Sequence, residues 1–125
     1  MAAIADSCAV VAFLNYPGAA HILPRATAVM TSERIWVPAE VVLEITRLIT
    51  GQRLAPIPIG LLTALRMNRF EPLLSTWEDA ELAANLPPIH RDPIDRSLVA
   101  LALNRRLPII TSDRIIPQYG VTTIW

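Results

Sequence analysis

The chain has 125 residues, 53% hydrophobic and 18% charged, enough for a packed core, and a single domain over residues 1–125 is expected. Eleven basic residues balance eleven acidic ones, so no global positive field draws in nucleic acid or an anionic membrane, and any such binding must be local. All eleven basic residues are arginines, which removes Schiff-base chemistry, pyridoxal attachment and a phosphate-loop lysine together, and the lone Cys8 allows neither an intrachain disulfide nor a thiolate zinc cluster.

Met1 to Ala5 read as a short strand that ends at Asp6-Ser7, and Cys8 to Asn15 as a helix stopped by Tyr16-Pro17-Gly18. Residues 7–24 carry no formal charge, but Asn15-Tyr16-Pro17-Gly18 breaks them, which predicts a core helix rather than a membrane span. Asp6 is the only charge in the first 24 residues, so the basic start of a secretory signal is missing, and a mature cytoplasmic protein is expected. Ile35-Trp36-Val37 reads as a buried strand, with a helix from Pro38 to about Thr50 and Gly51 as its stop. Residues 58–69 suggest another helix and Phe70 to Leu74 a short strand. Ser75-Thr76-Trp77-Glu78 has the spacing of a capping box for a helix to about Leu86. A helix from Pro93 to about Arg106, a strand at Pro108 to Thr111 and a last β-branched strand after Gly120 complete the pattern. Strands alternating with helices predict an α/β fold with an open, mostly parallel sheet covered on both faces.

In such sheets ligands bind beyond the carboxyl ends of the strands. Asp6 and Asp113 each follow an apolar strand, while Glu44 and Asp95 lie near the starts of helices that could face the same edge. The stretch HRDPIDR separates two aspartates by role. Pro93 suits the first helical position, which puts Asp92 at the N-cap, whereas Asp95 shares its helical face with Leu98, Val99, Ala102 and Leu103 and so points inward. Each carboxylate has an ordinary explanation: a cap for Asp6, a partner in Arg47 for Glu44, a first-turn dipole residue for Asp95, a turn former for Asp113. Their shared placement at one sheet edge argues for a joint role. Carboxylates crowded together repel unless a proton or cation intervenes, and an all-oxygen donor set favours Mg²⁺ or Mn²⁺. His21 and His90 read as surface or capping groups, and Cys8 as an inert core thiol.

These motifs together, IADS at the start, WVPAEVVLEITRLITGQRL, HRDPIDRSLVALAL and LPIITSDRIIPQYGVTTIW, make a sequence that resembles VapC-type toxins of type II toxin–antitoxin systems, PIN-domain ribonucleases, over nearly its whole length. The resemblance implies a three-layer α/β/α sandwich around the sheet, RNA as substrate, a site for Mg²⁺ or Mn²⁺, a VapB-type antitoxin and a homodimer. Asp6, Glu44, Asp95 and Asp113 match the family's acidic catalytic and metal-site residues, with Ser7, Asp92, Arg96 and Ser112 as supporting neighbours. Ser7 stands where threonine is frequent, and Glu40-Val41-Val42-Leu43 replaces a small hydroxylated residue and a Leu-Trp pair before Glu44. Five arginines in residues 90–114 (91, 96, 105, 106 and 114) against three aspartates could hold flanking phosphates. A receiver-type phosphoacceptor domain would need a lysine beside its phosphate. A non-catalytic interaction module would not need all four carboxylates, and a processing nuclease would lack an adjacent antitoxin gene.

Overall fold

The computed structural model describes residues 1–14 and 21–125. The predicted stop at Asn15-Tyr16-Pro17-Gly18 lies outside the described residues. Five strands, β1 (Ala2–Ala5), β2 (Arg34–Pro38), β3 (Glu71–Leu73), β4 (Ile109–Ile110) and β5 (Thr123–Ile124), pair in the order β3-β2-β1-β4-β5, every pair parallel. Among the described residues six α-helices join them: α1 (Ser7–Phe13), α2 (Pro24–Ser32), α3 (Ala39–Thr50), α4 (Leu61–Met67), α5 (Trp77–Asn85) and α6 (Pro93–Arg105).

The sequence explains why the sheet sits in the middle. Successive strand residues point to opposite faces, yet Ala3, Ile4 and Ala5 are all fully buried, as are Ile109 and Ile110. Both faces are therefore covered, which gives the three-layer α/β/α architecture. Ile4 pairs with Trp36 on one side and Ile109 on the other, so β1 is the central strand. Leu98, Val99, Ala100, Leu101 and Ala102 bury more than a full turn of α6 on every side, and each large aliphatic side chain so enclosed contributes about 1.5–3 kcal/mol.

The chain steps outward from β1 to β2 to β3 and then returns to the far side of β1 to form β4. That reversal opens a crevice at the carboxyl ends of β1 and β4, where no crossover covers the sheet edge. Glu40, half-buried on α3, braces the region: one carboxylate oxygen accepts the hydroxyls of both Ser75 and Ser97 at 2.8 Å, tying α3 to α6.

Three local expectations change. Helix α2 was not apparent in the sequence. Its N-cap residue Leu23 offers no side-chain acceptor, and only Ala26 and Met30 are buried along it. The capping box of α5 sits one residue later than the Ser75–Glu78 spacing implies. Thr76 accepts the Asp79 N–H, and the Asp79 carboxylate accepts the Thr76 N–H at 2.9 Å. The predicted helix at 58–69 shortens to Leu61–Met67 because Gly60, at φ 85°, takes a conformation that a helix cannot contain.

Candidate functional site

Asp6 leaves β1 and caps α1. Its backbone is extended, and its Oδ1 accepts the Ala9 N–H at 2.9 Å and the Cys8 thiol at 3.0 Å. At 5% exposure it is nearly enclosed, and burial raises its pKa above the usual carboxylate value, a shift opposed by hydrogen bonds from Cys8, Thr111 and Ala9 and reinforced by the charge of Glu44. Cys8 is not the core thiol expected from the sequence. It stands at the crevice, half-buried, 3.3 Å from the Ser112 hydroxyl, and burial together with the Asp6 carboxylate pushes its thiol up to about 11. It remains a protonated donor to Asp6, with none of the thiolate character that nucleophilic chemistry requires.

Asp113 follows β4 and is fixed by its own turn: its N–H donates to Thr111 Oγ1 at 3.0 Å, and its Oδ1 accepts the Ile115 N–H at 2.7 Å. Asp95 comes from the first turn of α6. Asp92 caps that helix as expected, its Oδ1 accepting the N–H groups of Ile94 at 2.8 Å and Asp95 at 3.4 Å. The cap frees Asp95 to face the crevice. Burial first, then the charge of Asp92, with Glu44 and Asp113 adding and only His90 opposing, push the Asp95 carboxyl up to about 7.

Asp6, Ser7, Cys8, Glu44, Asp95, Ser112 and Asp113 line one open cleft of ≈ 310 Å³. The four carboxylates drawn from β1, α3, α6 and the β4 turn thus converge at the reversal of strand order. Among the described residues no ion pair joins Glu44 to Arg47. Both instead line a second cleft of ≈ 410 Å³, with Arg53 and Asp92, that shares Glu44 with the first.

Arg96 does not line the acidic cleft. Its guanidinium donates to the carbonyls of Ala83 and Leu86, both at 2.8 Å, and of Pro87 at 3.0 Å, where it satisfies the carboxyl end of α5 and the loop after it. Arg105 is likewise engaged, paired with Asp79 at 2.8 Å. Neither arginine is free for a phosphate.

His90 is the residue that sequence reasoning misplaced. Its Nε2 lies 3.1 Å from Asp95 Oδ2 and 3.0 Å from Asp113 Oδ2, and the three atoms lie within 4.8 Å of one another. The spacing His-x-Asp before a helix cap was the available signal. It places the ring where Nδ1 can accept the Asp92 N–H, at 3.1 Å. His21 is exposed.

The donor set suits a hard divalent cation: buried and half-buried carboxylates, one held partly protonated near neutrality by its neighbours, form a cluster whose repulsion a cation would relieve. Among the described residues, no helix is long and apolar enough to cross a membrane.

A family model described as the PIN domain matches residues 3–121. Among solved structures, the chain is similar to the crystal structure of FitAcB from Neisseria gonorrhoeae, with a TM-score of 0.65, 17% identity, and coverage of 100% of this chain and 97% of that chain. At that identity the likeness shows the fold. No curated protein matches the sequence.

Proposed function

Because the chain belongs to the PIN-domain family, whose members are generally nucleases, we propose that it is a metal-dependent endoribonuclease acting as a VapC-type toxin. The observation that carries this reading is the convergence of Asp6, Glu44, Asp95 and Asp113 on one cleft at the switch point of the sheet. These four carboxylates would hold Mg²⁺ or Mn²⁺. The bound cation would supply Lewis acidity toward a phosphodiester and lower the pKa of the attacking water.

The chain's own groups do the rest. Asp6 is held by the α1 cap and the Cys8 thiol through its Oδ1, and the residue lines the cleft. In the metal-free cleft burial and the neighbouring carboxylates push the Asp95 carboxyl up to about 7, and a bound cation would favour its ionised form, so Asp95 would serve as a ligand. With Arg96 and Arg105 engaged by the protein, Arg47 and Arg53 in the adjoining cleft are the better placed cations for RNA phosphates flanking the scissile bond. An Asp6→Asn variant tests the reading, because asparagine caps a helix as well as aspartate and the fold should survive. We expect purified wild type to cleave RNA with Mg²⁺ or Mn²⁺, leaving a 5′-phosphate, and to stop in EDTA. Asp6→Asn should lose at least about a thousandfold in rate, in line with the barrier change of a lost transition-state contact of several kcal/mol. Undiminished cleavage in EDTA or by the variant would sink the metal mechanism.

The toxin part of the reading adds an antitoxin partner that covers the acidic cleft. An apolar groove of ≈ 270 Å³ beside α3 and α4, lined by Val42, Leu62, Leu65 and Phe70 among others, supports a docking helix or strap, and Leu62 in that lining is about half exposed. Co-expression with the product of a neighbouring small gene should yield a complex in which RNA cleavage is suppressed. Free, fully active nuclease after co-expression would favour a processing nuclease of the same family instead.

A further inference from the structure

His90 stands between the carboxylates of the first turn of α6 and of the turn after β4, and its hydrogen bonds decide what it can do there. The ring is held on its far side: Nδ1 accepts the Asp92 backbone N–H at 3.1 Å. A nitrogen that accepts an N–H carries no proton, so the ring proton sits on Nε2, which faces Asp95 and Asp113. A protonated nitrogen has no lone pair for a cation. The loop bearing the ring is itself anchored, since the His90 N–H donates to the Tyr119 hydroxyl at 2.7 Å and that hydroxyl donates to the Pro87 carbonyl at 3.0 Å. Arg96 gathers the carbonyls of the same loop. The ring therefore cannot swing to offer Nε2 as a ligand without losing the Asp92 bond.

We infer that His90 is a positioning residue of the metal centre: its Nε2–H bridges Asp95 Oδ2 and Asp113 Oδ2, holding two mutually repelling carboxylates together so that their remaining lone pairs face one cation. Partners of this kind behind metal-binding carboxylates change metal affinity by about 10–100-fold when removed. The inference rests on the metal-dependent reading above and adds a residue to it that is not itself a ligand.

The test is a Mn²⁺ titration followed by electron paramagnetic resonance on the full chain, wild type, His90→Ala and His90→Gln, with melting curves in EDTA to establish that each is folded. His90→Ala should bind Mn²⁺ about 10–100-fold more weakly. His90→Gln, whose amide can place an N–H near the position of Nε2, should recover most of the affinity. The electron-spin-echo spectrum of the wild-type complex should contain no directly coordinated imidazole nitrogen. Nitrogen-15 correlation spectra of the metal-free wild type, which need no variant, should show the Nε2–H tautomer. Equal or tighter Mn²⁺ binding by His90→Ala, a coordinated imidazole nitrogen, or the Nδ1–H tautomer would each overturn the assignment while leaving the metal-dependent reading intact. A wild type that binds no Mn²⁺ at all would overturn both.

Discussion

In EDTA at pH 8 the Asp95→Asn variant will melt above the wild type, and with Mn²⁺ supplied it will cleave no RNA where the wild type does. The two effects have one cause. Burial and the charges of Asp92, Glu44 and Asp113 raise the folded-state pKa of Asp95 to about 7, so folding favours its protonated form. Below the unfolded value near 4, both states are protonated and the full stability is present. As pH rises toward 7 the unfolded chain releases the proton while the folded protein keeps it, and stability is lost through that window. Above it the metal-free wild type carries the whole cost of a crowded charge. Asparagine removes that cost and still offers an oxygen to the His90 Nε2–H, so the melting temperature should rise by about 3–10 °C, the equivalent of roughly 1–2 kcal/mol. Saturating Mn²⁺ should stabilise the wild type and leave Asp95→Asn almost unmoved, because ligand stabilisation scales with the affinity that the variant has lost. Asp92 supplies the contrast. Asp92→Asn keeps the cap and should change stability little, whereas Asp92→Ala frees the Ile94 N–H and should cost about 0.5–2 kcal/mol. If Asp92→Asn proves inactive and Asp95→Asn still cuts RNA, the roles of the two aspartates are reversed.

The separation of those two aspartates could be read from seven letters because capping and helical periodicity are local properties. Pro93 fixes the start of α6, Asp92 falls at its cap, and a three-residue step turns Asp95 toward the cleft. The strands were legible for the same reason, being short runs of β-branched and small apolar residues between breakers. What stayed hidden depends on partners far away in sequence. His90 looked like a capping group because nothing near it announces Asp113, 23 residues on, as the acceptor of its Nε2–H. Arg96 was expected beside the site through the family resemblance, and the carbonyls of α5 and of the residue that ends it, which occupy its guanidinium, are not visible in the sequence. The α5 box was read one residue early because Ser75-x-x-Glu78 and Thr76-x-x-Asp79 satisfy the same pattern. The choice between them is made by Arg105 and Asn104, which draw Asp79 inward across the α5–α6 interface.

That interface carries the largest stability effect expected outside the apolar core. Asp79 is 2% exposed, and its two oxygens accept the Thr76 N–H at 2.9 Å, the Asn104 amide at 2.8 Å and both terminal nitrogens of Arg105 at 2.9 and 2.8 Å. These bonds, the fork from Arg105 above all, hold its carboxyl well below the usual carboxylate range despite the cost of burial. Asp79→Ala leaves the Thr76 N–H uncapped, the Asn104 amide unmet and the Arg105 charge without its counterion. Breaking a buried pair from one side costs about 3–5 kcal/mol, but Arg105 is a quarter exposed and can reach water, so about 2–4 kcal/mol is expected in urea melts at pH 7. A folded-state pKa below the unfolded one contributes stability that is present above pH 4 and lost as pH falls through the folded value, so the gap between wild type and variant should narrow in acid. Arg105→Leu in the Asp79→Ala background should return part of the loss, since an apolar pair strands no charge. Neither Asp79 nor Arg105 lines the acidic cleft, so well below its melting temperature Asp79→Ala should retain the cleavage rate of the wild type. A loss under about 1 kcal/mol, the range of an exposed ion pair, would mean that the fork does not hold α5 against α6 in solution and that the apolar contacts alone set the position of both helices.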